Sequence, residues 1–177
     1  MDERASLARR YAALGYEGLL LAAVVLVVGF LTLPAIPAGA AGGTLALPPL
    51  PARVLSACLV FGAAGLYFTW SWTGGRRTLP MKTWRLALVR ADGRTVDTRT
   101  AVIRYLCVWI GPVASLAAHV ALQPAHLGAQ AAWLVVIGYL WPIVDPDRQF
   151  LHDRIAGTRI VMATPPPAAA SPAPRPR

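Results

Sequence analysis

The chain has 177 residues, 56% of them hydrophobic and 14% charged, with a mean hydropathy of +0.51. A soluble domain carries about 25% charged residues, so an ordinary soluble class is excluded and a bilayer is the expected solvent. Seventeen Lys and Arg against eight Asp and Glu give a net charge of +9, which in so apolar a chain reports membrane topology before it reports nucleic acid.

Residues 1–10 read as a charged leader, followed by "RRYAALGYEGLLLAAVVLVVGFL", in which the apolar run begins after Gly18. Four apolar segments, at about 18–33, 54–72, 105–122 and 131–144, predict transmembrane helices. Their lengths lie near or below the ~20 residues needed to cross the hydrocarbon core, and the fourth is the shortest. The Pro- and Gly-rich "PAIPAGAAGGTLALPPLPA" between the first two cannot continue a helix and reads as a loop, as does "QPAH" between the last two. The first loop contains A-x-A patterns like those of signal-peptide cleavage sites. The apolar run before it exceeds the usual ~7–15 residues of such signals, so the first span is expected to remain.

Sixteen of the seventeen basic residues fall in the leader, in the stretch from Arg76 to Arg104, or after the fourth span; Arg53 is the exception. The positive-inside rule makes that side cytoplasmic and puts both termini on it. Trp70, Trp72 and Trp133 then stand near span ends, where interfacial anchoring and packing between helices are both consistent readings.

Within the cytoplasmic stretches, apolar residues alternate through Trp84, Leu86 and Leu88 before the Asp92-Gly93 turn signal, and "TRIVM" after Gly157 is rich in β-branched residues. We expect residues 84–89 to pair with 158–162 in a small juxtamembrane two-stranded element, since lone strands would leave unpaired edges. The alternative is a pair of interfacial helices with basic faces. Residues 164–177, "TPPPAAASPAPRPR", read as a disordered tail. The expected fold is therefore an all-α membrane protein, a four-helix transmembrane bundle over residues 11–163, with that β element beneath it.

Glu17 stands at the head of the first span, seven residues after Arg10, so the two lie near one helical face. In a structural role each bonds another element and ties the bundle together. In a functional role Glu17 is a proton carrier alternately protonated and ion-bound. Asp153 either anchors its juxtamembrane helix or pairs with Arg10, Arg104 or an arginine of the central loop. His152 beside it is a candidate pH-sensitive partner. Asp145 and Asp147 read as turn formers beside Pro142 and Pro146. Cys58 and Cys107 lie in apolar runs without His or Cys at ligand spacing, so no metal, cofactor or disulfide is expected. No G-x-S-x-G, H-E-x-x-H, Walker or G-x-G-x-x-G motif occurs.

These residues resemble the RDD family of membrane proteins, named for one arginine and two aspartates. "RRYAALGYE" is similar to the family's first motif, with Arg10 at the arginine, Ala13 where a small residue is usual, and Glu17 in place of the aspartate. "LHDRIAGT" matches the closing motif and supplies Asp153, Gly157 and Thr158. "GGRRTLPMKTWRLALVRADGR" is similar to the stretch after span two, with Arg77 for the usual glutamine and Pro80 for a glycine. The resemblance implies a small polytopic membrane domain, and cation/proton exchange is proposed for some members. The expectation is a non-enzymatic membrane module of the bacterial inner membrane. Its partners would be the lipid bilayer, copies of itself or other membrane proteins, and no nucleic acid. The alternative is a small exchanger with Glu17 as carrier.

Overall fold

The computed structural model describes residues 5–32 and 48–163. Residues 1–4 of the predicted leader, the cleavage patterns between the first two spans and the predicted disordered tail lie outside the described residues.

Helix α1 (Leu7–Thr32) contains the whole opening stretch. It starts eleven residues before the apolar run because Arg9 and Arg10 are helical too; hydropathy marks the lipid-like part of a helix, not its ends. Helix α2 (Leu50–Trp72) begins beside Pro49 with a second proline in its first turn, where the missing N–H costs nothing. A single 3-10 turn, Thr73–Gly75, and the short α3 (Leu79–Thr83) follow. Thr78 caps α3 by accepting from the Met81 N–H.

The third long helix is broken into α4 (Thr98–Val108) and α5 (Ile110–Leu122). Asp97 caps its start, accepting the Thr100 N–H at 2.7 Å. Pro112 explains the break: it has no N–H for the Val108 carbonyl four residues back, and its ring crowds that oxygen. The fourth apolar segment is a composite of 3-10 turn (Gly128–Ala132), α6 (Trp133–Leu140) and 3-10 turn (Trp141–Ile143). Among the described residues three helices are long and apolar enough to cross a membrane, and this fourth, Gly128–Ile143, is shorter.

Strands β1 (Leu86–Arg90) and β2 (Thr158–Met162) pair antiparallel, with Leu88 opposite Ile160. The expected pairing is present, set one to two residues later on the first strand, and the alternative of two interfacial helices is excluded. Leu86, Leu88, Thr158 and Ile160 are buried on one face, as the two-residue period requires. The short α7 (Leu151–Ile155) leads into β2 through Gly157, whose φ of +65° suits glycine as a helix stop.

Helix α1 packs on α2, α2 on α4 and α5 on α6. The Tyr11 hydroxyl donates to the Tyr139 carbonyl at 2.8 Å and ties α1 to α6. The buried core gathers at the arginine-rich end, where Trp72, Met81, Leu86, Val96, Tyr105, Phe150 and Ile160 pack together. Helices α5 and α6 contain no buried residue.

Candidate functional site

Four elements meet under the bundle, and each delivers charged or polar side chains to the same core. Arg10 comes from α1, near its start, and is 1% exposed. Its Nε donates to the Ala5 carbonyl at 3.1 Å, Nη1 to Gln149 Oε1 at 2.8 Å and Nη2 to the Ile160 carbonyl at 2.8 Å. One guanidinium thereby joins the leader, the loop before α7 and strand β2. All three acceptors are neutral, so Arg10 is held by hydrogen bonds and not by a carboxylate.

Asp153, wholly buried on α7, takes its cation from α4. Arg104 Nε lies 2.8 Å from Asp153 Oδ1, with 4% of the arginine side chain exposed. The same guanidinium stacks over the Trp72 ring at 4.0 Å, so one flat cation is held by a carboxylate at its edge and an aromatic ring on its face. Thr158 closes the turn, its hydroxyl donating to the Asp153 carbonyl at 3.3 Å. Asp153 Oδ2 has no hydrogen-bond partner among the described residues.

His152 sits beside this pair, its Nε2 3.4 Å from Arg104 Nη2 and 3.7 Å from Asp153 Oδ1. A guanidinium only donates, so Nε2 accepts and the ring proton belongs on Nδ1. The ring stacks on Phe150 at 5.4 Å. Burial pushes the imidazole pKa down to about 4; Asp153 opposes the shift and Arg104 reinforces it. His152 is therefore a neutral ring at pH 7.

Glu17 reaches a different partner. Its Oε1 accepts from the Thr78 hydroxyl at 2.8 Å, while Thr78 also caps α3. The threonine thus couples the carboxylate to the segment after α2. Arg10, Glu17, Arg104 and His152 all line one cavity of about 300 Å³, walled otherwise mainly by aromatic and aliphatic groups.

Of the residues singled out from sequence, Arg10 and Glu17 share that cavity, and Asp153 stands behind Arg104. No hydrogen bond or ion pair joins any two of the three. Of the three cations considered for Asp153, the structure selects Arg104. Gly157 and Thr158 serve the turn beneath it. Among the described residues, no group of three or more His, Cys, Asp or Glu comes together as a metal site.

Asp145 and Asp147 exceed the turn-forming role. Arg154 lies 2.8 Å from a carboxylate oxygen of each, and Asp145 also accepts the Gln149 N–H at 2.8 Å. Partial burial alone would raise the Asp145 pKa, but the hydrogen bonds from Arg154, Gln149 and Asp147 outweigh it and hold the carboxyl below its ordinary value. Gln149 escapes sequence reading. Its side chain serves Arg10 Nη1 and both the N–H and the carbonyl of Ile160, and its signal was a single amide next to an aromatic residue.

A family model described as the RDD family matches residues 4–157, which include Arg10, Glu17, Arg104 and Asp153 and stop just short of β2. No curated protein and no solved structure matches the chain. Because the match extends over most of the sequence, the protein belongs to the RDD family.

Proposed function

We propose that the protein is a multi-pass module of the bacterial inner membrane. In this reading it has no enzymatic activity, both termini are cytoplasmic, and it acts as an accessory or scaffold for membrane components or for further copies of itself. One observation carries the reading: Arg10, Arg104 and Asp153, and Glu17 through Thr78, each hold separate elements of the chain together. Buried charges used in this way specify an arrangement, and their hydrogen bonds and the Arg104–Asp153 ion pair allow three helix ends and a sheet to share one core. The leader and β2 meet at Arg10, which supports placing both ends of the chain on one side, and the arginine distribution supports calling that side cytoplasmic.

The test is reconstitution into vesicles carrying a pH gradient. Neither the wild type nor Glu17→Gln is expected to show cation-dependent proton flux, while Glu17→Gln lowers thermal stability by weakening the bond from Thr78. A flux present in the wild type and abolished by Glu17→Gln would overturn the module reading in favour of exchange.

A further inference from the structure

The charged cavity does not stand alone. An apolar groove of about 430 Å³ lies between α1 and α2, and Leu21, Ala64 and Phe68 wall both spaces. From Leu20 to Val28 the groove follows α1 for about 12 Å. It runs away from the sheet toward the middle of the helices, and Val27 on its wall is exposed to the surroundings. Each space is the size of a small-molecule site, and together they have one polar end and one long apolar end.

The polar end holds groups that the fold leaves unused. Glu17 Oε1 is engaged by Thr78, and no donor among the described residues is bonded to Oε2. Arg104 donates through Nε to Asp153 and contacts His152 through Nη2, and Nη1 has no acceptor among the described residues. An unused guanidinium nitrogen on the cavity wall favours an oxyanion. The free carboxylate oxygen of Glu17 in the same cavity favours a cation. Gly18 lines this end, and a Cβ there would meet nothing within 4 Å, so a larger side chain has room at that position.

We propose that the cavity and groove together bind one zwitterionic phospholipid from the leaflet on the arginine-rich side. Its phosphate faces Arg104, its ammonium faces Glu17, and one acyl chain lies between α1 and α2. The orientation is the one such a lipid already has in that leaflet. A purely anionic head would satisfy the arginine but set like charge against Glu17. The proposal rests on the membrane reading above.

The experiment is native mass spectrometry of the full chain purified in detergent, then challenged with phosphatidylethanolamine, phosphatidylglycerol or palmitate. One phosphatidylethanolamine per chain is expected, retained at least tenfold better than either competitor. Glu17→Gln is expected to lose that head-group preference while keeping a lipid. Val24→Phe, which fills the groove away from the charged core, is expected to release the lipid altogether, and Gly18→Leu does the same from the polar end if Val24→Phe fails to fold. Lipid that is absent, substoichiometric, indifferent to head group or unaffected by the filling variants overturns the proposal. Membrane fractionation of the expressing cells before detergent is added keeps the two readings apart: protein in the membrane fraction that carries no lipid after purification defeats this inference alone, and protein recovered in the soluble fraction defeats the membrane reading itself.

Discussion

Near its start α1 buries Arg10 and Ala13 against the sheet, whereas Leu19, Leu26, Phe30 and Leu31 further along are each at least 70% exposed. The same helix therefore belongs to two regions with different physics. The arginine-rich end is a packed core with charge pairs, caps and a sheet. Among the described residues the shaft above it has a single side-chain hydrogen bond between α1 and α2, from Ser56 to Thr32 at 3.2 Å. In the proposed bilayer the shaft gains little from apolar burial, because lipid tails are as apolar as leucine. Specificity of arrangement must then come from directional bonds, and those are concentrated at one end.

Four experiments break or sharpen this contrast. Arg104→Met should be the most damaging, because it leaves the buried Asp153 without its cation and removes the stack on Trp72. A loss of about 3–5 kcal/mol is expected in thermal unfolding in detergent, and Arg104→Lys should recover only part of it because an ammonium cannot replace the flat fork. Arg10→Met comes next at about 2–4 kcal/mol, since it removes three buried hydrogen bonds made by a charged donor.

Acid should act on the same end. The folded His152 pKa of about 4 lies below the 6.5 of an unperturbed histidine, so the unfolded chain binds the proton first. The stabilisation is complete above pH 6.5 and is lost as pH falls toward 4, by about 2–3 kcal/mol. His152→Phe should flatten the melting-temperature profile across that window. Leu26→Ala, in the shaft, should change stability by less than about 0.5 kcal/mol. A shaft substitution as harmful as Arg10→Met would erase the distinction between the regions.

The two regions also differed in how far they could be read from sequence. The apolar segments and the strand pair were legible because hydropathy and the two-residue alternation of Leu86, Leu88 and "TRIVM" are local signals. Helix starts were not, since the buried polar turns of α1 and α4 do not register as apolar. Arg10, Glu17 and Asp153 could be singled out, but their partners could not. Arg104 and Asp153 are 49 residues apart, and nothing local distinguishes Arg104 from Arg10 or the loop arginines. Thr78 and Gln149 were invisible for the same reason, because their importance lies in what the fold brings beside them.

The hook formed by Arg10 has a consequence for synthesis. Gln149 and Ile160 follow it by 139 and 150 residues. At roughly 5–20 residues per second, a ribosome takes on the order of 8–30 s to supply them. Throughout that interval the guanidinium has only Ala5 from its own neighbourhood to bond, and water or lipid head groups must satisfy the rest. A chain interrupted before Ile160 would carry an arginine that lacks its bond to that strand, so the latch closes only once the last strand has been made.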